Sequence, residues 1–153
     1  RRALTTLSSA LALRGEETGG FTTVDLLQLD LFTGEGELYK LGAAPTYIKK
    51  GGSVQRLSGR SLPAGLAEGE ASALDRFSLR LVPGDCVLMV SDGVCSGAED
   101  GWLRERLTQF DGTSPKDLAR ELVTRDLKDA TDDRTALVVR IDTRKNRLDH
   151  PDG

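Results

Sequence analysis

Two short acidic clusters hold the residues best suited to chemistry in this chain. The first closes the stretch Cys86-Val87-Leu88-Met89-Val90-Ser91-Asp92-Gly93, where an apolar run stops on an acid followed by glycine. Physically this reads as a buried strand that carries one carboxylate to the edge of a core, where a charge costs several kcal/mol unless a cation meets it. The second cluster, Thr131-Asp132-Asp133-Arg134-Thr135, stands just before another apolar run, Ala136-Leu137-Val138-Val139. Acids at the facing ends of two core strands make half of a metal site. Two carboxylates about 4 Å apart repel by roughly 4 kcal/mol at an effective dielectric of about 20, and a divalent cation turns that repulsion into attraction.

Each cluster also has a plain structural reading, Asp92-Gly93 as a turn after a strand and Asp132-Asp133 as a solvated turn or helix-end feature. Together they favour a metal, and ligand type narrows the ion. No Cys/His spacing suits zinc, and the single histidine, His150, stands apart from both clusters. Carboxylates with water select magnesium or manganese. Such an ion lowers the pKa of a water and polarises a phosphoryl oxygen. With neither a Ser-His-Asp arrangement nor a P-loop in the sequence, metal-assisted hydrolysis of a phosphoester is the natural chemistry.

Other features carry less. Gly34-Glu35-Gly36 lacks the third glycine of a dinucleotide fingerprint. Lys49-Lys50 reads as a solvated hairpin face, and Trp102, at helical spacing with Leu103 and Leu107, as packing. Asp25 is unusual between Val24 and Leu26. A structural hydrogen bond is its preferred reading, ahead of a supporting role behind a metal.

The elements that must position these residues alternate in period. Residues 1–14 have apolar positions at helical spacing, with Gly15 as a stop. Phe21 to Leu31 is apolar on both faces and reads as a strand covered on both sides. Thr33 to Gly36 is a hairpin turn, and Glu37 to Leu41 returns. Gly42 to Pro45 interrupts that strand, Thr46 to Lys50 resumes it, and Ser53 to Leu57 follows Gly51-Gly52. This passage is expected to form an antiparallel meander. A loop-rich stretch from Gly59 to Ser72 precedes a half-exposed strand at Arg76 to Leu81. Helices are expected over Glu99 to Phe110 and Ser114 to Lys128, the second announced by Ser114, Pro115 and Asp117. Thr135 to Ile141 is the last strand.

The 153 residues carry a net charge of -3 with both signs interspersed, which argues against a nucleic-acid partner and against a metal-dependent nuclease. No apolar run approaches the roughly 20 residues that span a bilayer, and Arg1-Arg2 leads into no signal-peptide core. Two cysteines, Cys86 and Cys95, do not make a disulfide framework, so a cytoplasmic location is expected. The opening inside a helical pattern, with neither methionine nor N-cap, leads us to expect further chain upstream, where a regulatory or membrane-anchoring segment could lie.

The order of these pieces resembles the metal-dependent (PPM-type) serine/threonine protein phosphatases, specifically their SpoIIE-like branch of stage II sporulation. The segments that carry the resemblance are FTTVDLLQLDLFTGEGELYKLGAAPTYIKKGG, SLPAG, LVPGDCVLMVSDGV and TDDRTALVVRI. It implies an α+β fold, an α-β-β-α sandwich of two antiparallel sheets flanked by helices, with a manganese or magnesium cleft between the sheets. Asp92 matches the acid of the family's Ser-Asp-Gly motif and Asp132 the first of its Asp-Asp pair, both metal ligands and catalytic, with Asp133 adjacent. Gly93 would let backbone pass close to the site, and Gly42 opens the family's small-residue turn beside the cleft. An earlier strand whose Asp-Gly bridges two metals, and a first helix, have no counterpart in these 153 residues. Residues 1–143 would therefore be the C-terminal two-thirds of the domain, with 144–153 a charged, flexible tail. Arg134 stands where the sporulation enzymes usually carry methionine.

What the resemblance implies of function is a phosphatase that hydrolyses a phosphoserine on a protein of the anti-sigma-factor antagonist type by metal-activated water. The rival expectation is a catalytically silent fold serving as a binding or signalling module. The 153 residues alone are expected to bind metal weakly, and an open sheet edge or an upstream regulatory segment would be a route to homo-oligomers.

Overall fold

In the computed structural model the described residues are 6, 10, 21–66, 74–95, 99–125 and 132–143. They form seven strands in two antiparallel sheets, and two helices. In chain order these are β1 (Val24–Leu29), β2 (Glu35–Leu41), β3 (Thr46–Lys50), β4 (Ser53–Leu57), β5 (Asp75–Arg80), β6 (Cys86–Val90), α1 (Gly101–Gln109), α2 (Pro115–Thr124) and β7 (Ala136–Arg140). One sheet has the order β1-β2-β5 and the other β4-β3-β6-β7. Of the helix expected over 1–14, Thr6 and Ala10 are helical and the rest lies outside the described residues. The expected tail at 144–153 lies outside them too.

The first hairpin turns earlier than its glycines suggest. Asp30 Oδ1 accepts the backbone N–H groups of Phe32 (2.7 Å) and Thr33 (3.1 Å), which closes the turn before Gly34. Those two donors hold the Asp30 carboxyl below the usual carboxylate range. Glu35 and Gly36 then belong to β2, where Gly36 pairs with Leu29 and Leu79. Gly34 has φ +71°, and a Cβ there would lie 2.1 Å from the Leu81 carbonyl oxygen.

The expected meander does not form. At Gly42–Pro45 the chain leaves the first sheet and enters the second, so β2 and β3 belong to different sheets. Gly42, at φ +60°, passes so close to Pro63 that a Cβ would lie 2.5 Å from its ring. The two-sided covering expected of the first strand also fails. Among the described residues β1 lies at a sheet edge, Leu26 is 43% exposed, and Leu27 and Leu29 are the β1 side chains that pack into the core.

Two apolar clusters sandwich the second sheet. Between the sheets, Leu38, Ile48, Leu57, Leu81, Val87 and Met89 pack together. On the sheet's other face, Tyr47, Leu88 and Val90 meet the helices. Each helix buries a leucine pair at i, i+4: Leu103 with Leu107, and Leu118 with Leu122. β6 is buried at all five positions. Burial pushes the Cys86 thiol up to about 11, and it serves as a small apolar filler.

Ser114 caps α2 by accepting the Asp117 N–H, with Pro115 in the first turn. The helix stops short of the expected Lys128, because Arg125 adopts φ -55° and ψ 133°. Its guanidinium lies 4.2 Å from the centre of the Trp102 ring, tying the two helices at one end. Lys49 is not the solvated residue expected of it. Its Nζ donates to the carbonyls of Thr108 (2.7 Å) and Phe110 at the close of α1.

Candidate active site

Because β6 and β7 pair antiparallel, with Val90 opposite Ala136, the segment leaving β6 meets the segment entering β7. Ser91 joins them. Its N–H donates to Thr135 O (3.0 Å), its Oγ donates to Asp133 O (3.2 Å), and the same Oγ accepts the Thr135 N–H (2.9 Å). Gly93 lets the turns touch: a Cβ there would stand 2.2 Å from Asp133 O and 3.2 Å from Asp132 O. No side chain fits at 93 without parting the turns that carry Asp92, Asp132 and Asp133.

All three acids are exposed. The desolvation penalty expected of a carboxylate at a core edge therefore does not arise, since the turns project past the strand ends into solvent. Asp92 Oδ1 accepts the Gly93 N–H (3.1 Å) and Asp132 Oδ1 the Asp133 N–H (2.8 Å). Arg134, beside them, anchors the second turn. Its Nη1 donates to the carbonyls of Arg125 (2.5 Å) and Val123 (3.4 Å), where α2 ends and a cation suits the helix dipole.

Asp92 lines a cleft of about 640 Å3 that also takes in Asp25, Gly42, Arg56, Ser91 and Thr135. Asp132 and Asp133 stand on the adjoining turn, outside that lining. Arg56 pairs through Nε with Asp100 Oδ2 at 3.0 Å, an oxygen that also accepts the Tyr47 hydroxyl at 3.0 Å. Burial foremost raises the Tyr47 phenol above its ordinary pKa.

Below the cleft lies a buried ion pair. Lys40 is fully buried, and its Nζ donates to Asp25 Oδ2 (2.7 Å) and Thr46 Oγ1 (2.9 Å), while the Thr46 hydroxyl donates to the same Asp25 oxygen (2.9 Å). The preferred structural reading of Asp25 thus has its partners. Burial lowers the Lys40 pKa, against the opposing pull of Asp25. Ser91 and Arg56 were not singled out by sequence reasoning. Ser91 had a signal, since it belongs to the Ser-Asp-Gly motif. Arg56 had none, because its place depends on Asp100, far along the chain.

Among the described residues no three Asp, Glu, His or Cys side chains gather in a way that could hold a metal ion. Two exposed carboxylates on abutting turns nonetheless fit a hard, largely hydrated ion, since magnesium is commonly held by one or two carboxylates and keeps several waters.

A family model described as stage II sporulation protein E matches residues 1–142. The curated Stage II sporulation protein E of Bacillus subtilis (strain 168) is 29% identical over 149 residues, covering 92% of this chain and 18% of that relative. The solved phosphatase domain of the cell fate determinant SpoIIE from Bacillus subtilis (Mn presoaked) aligns with a TM-score of 0.68 at 29% identity, over 94% of this chain and 66% of that one. A second Bacillus subtilis SpoIIE structure, the PP2C phosphatase domain with a fragment of the regulatory domain, gives a TM-score of 0.77 at 29% identity, over 94% and 44%. The chain thus spans under a fifth of the curated Bacillus subtilis relative and just under two-thirds of the phosphatase-domain structure.

Proposed function

Since this chain belongs to the stage II sporulation protein E family, we propose that it is part of a metal-dependent serine/threonine phosphoprotein phosphatase, with Asp92 and Asp132 as catalytic metal ligands and Asp133 beside them. The observation that carries this reading is the Ser91 clamp, which seats the Asp92 turn against the Asp132-Asp133 turn at the mouth of the cleft. A Mn2+ or Mg2+ ion there would supply a water of lowered pKa and polarise a phosphoryl oxygen, so that hydrolysis needs no covalent phosphoenzyme. The chain's own contribution is to hold the acids in register, through Ser91, Gly93 and Arg134.

For the substrate we favour a phosphoserine protein of the anti-sigma-factor antagonist type, by analogy with the family. A cytoplasmic location suits two cysteines that are both free and buried. Among the described residues no helix is long and apolar enough to cross a membrane. A second reading, a catalytically silent fold used for binding, is favoured by one observation, that among the described residues no three potential ligands gather.

Release of phosphate from a phosphoserine peptide decides between them. Turnover by the protein at saturating Mn2+, lost on chelation and regained when the ion is returned, is the expected result. The 153 residues alone should be slow and need high Mn2+, because affinity in carboxylate sites follows ligand charge count. A protein that binds the peptide yet never turns it over, at any Mn2+ concentration, is the silent module.

A further inference from the structure

The chemistry proposed for Asp92 makes no use of the Asp25–Lys40–Thr46 group, yet that group lies under the same cleft. Its bonding is lopsided. Asp25 Oδ2 takes both donors, Lys40 Nζ and the Thr46 hydroxyl. Oδ1 has none, and among the described residues it is the one buried side-chain polar atom without a hydrogen-bond partner. Buried polar atoms in folded proteins are almost always satisfied, and an exception points to a water or an ion. A carboxylate oxygen has two lone-pair sites, so Oδ1 is an acceptor waiting for a donor.

Lys40 (β2) and Thr46 (β3) flank the crossover between the sheets, and together they fix one edge of the carboxylate. Asp25 itself lines the cleft that Asp92 lines, and its side chain is 15% exposed. A metal cannot sit directly on Asp25, because the Lys40 ammonium at 2.7 Å would repel it. A water between the two has no such conflict. A hard cation held by only two carboxylates keeps most of its hydration shell, and those waters need acceptors.

Resting on the metal reading of Asp92, we propose that Asp25 is a positioning residue: its Oδ1 accepts a hydrogen bond from the hydration shell of a divalent cation at Asp92, while Lys40 and Thr46 hold the carboxylate in that orientation. Lys40 also offsets the charge of Asp25, so that the cation is drawn to Asp92 and not down to Asp25.

The test is Mn2+ affinity, read by electron paramagnetic resonance on the full-length protein that contains this chain, with thermal melts as the check on folding. In the double variant Asp25→Leu, Lys40→Met both charges go together, so the fold is not left with one of them unpaired, and no acceptor oxygen remains at position 25. The Mn2+ dissociation constant is expected to rise on the order of 10- to 100-fold while the melt stays near wild type. Should the double variant melt early, Asp25→Glu keeps the ion pair but shifts the oxygens by one carbon, and the same loss of affinity is expected. Unchanged affinity in a folded variant overturns the role of Asp25 and leaves Asp92 as a ligand. A wild-type chain that takes up no Mn2+ overturns both.

Discussion

Replacement of Asp92 by asparagine is expected to abolish Mn2+-dependent phosphate release while the protein melts at the wild-type temperature. The two halves have separate causes. The Asp92 side chain is exposed, and the hydrogen bond it makes is to the N–H of its own neighbour, Gly93. An asparagine oxygen can accept that bond as well, so the turn and the Ser91 clamp should persist. What is lost is the negative charge, and a site built on two carboxylates loses half of its attraction for the ion. Metal-assisted stabilisation is worth several kcal/mol at the transition state, and about 4 kcal/mol corresponds to roughly a thousandfold in rate. The assay is phosphopeptide turnover across Mn2+ concentrations, beside a melt of each protein. Wild-type turnover by the variant at ordinary Mn2+ would remove Asp92 from the site.

The second large effect concerns stability. Lys40→Met should destabilise the protein by about 3–5 kcal/mol, because it leaves the Asp25 carboxylate buried beside an apolar side chain. Adding Asp25→Asn should return most of that loss, since a buried ion pair exchanged for uncharged groups of similar volume is often close to neutral. Urea unfolding of the wild type, the single and the double variant gives the three midpoints. If Lys40→Met unfolds at the wild-type midpoint, the charge balance under the cleft is not what holds β1, β2 and β3 together there.

How much of this was legible beforehand depended on the range of each interaction. β6 could be read because five consecutive apolar residues ending on Asp-Gly describe a strand buried on both faces. The start of α2 could be read because Ser114, Pro115 and Asp117 act within one turn. The hairpin was misjudged by two residues because glycines were weighed more heavily than Asp30, whose carboxylate does the closing. The passage from sheet to sheet at Gly42–Pro45 was not legible: small residues and a proline break a ladder in the same way whichever sheet the chain enters next. Lys49 belonged to the same class of failure, since its acceptors on Thr108 and Phe110 lie 59 and 61 residues away. At the site, the strand ends bearing Asp92 and Asp132 could be inferred from two apolar runs. The ion pair beneath them could not, because Asp25 and Lys40 are opposed only once β1 and β2 are in register.

The burial of β6 on both faces has a dynamic consequence. Among the described strands it is the one with every residue buried, and its side chains divide between the inter-sheet cluster and the cluster under the helices. Neither cluster can open while the other stays intact without stripping apolar surface from β6, so the two are bound into one cooperative unit. Its amides should be among the last to exchange with solvent deuterium. The Asp92 turn hangs from the end of that slow-exchanging strand, and β7, which leads away from Asp132, is laddered to it along its length. Asp92 is thereby anchored to the most protected strand of the sheet, while Asp132 precedes β7 at its edge and moves with that edge only as far as the β6 ladder lets it.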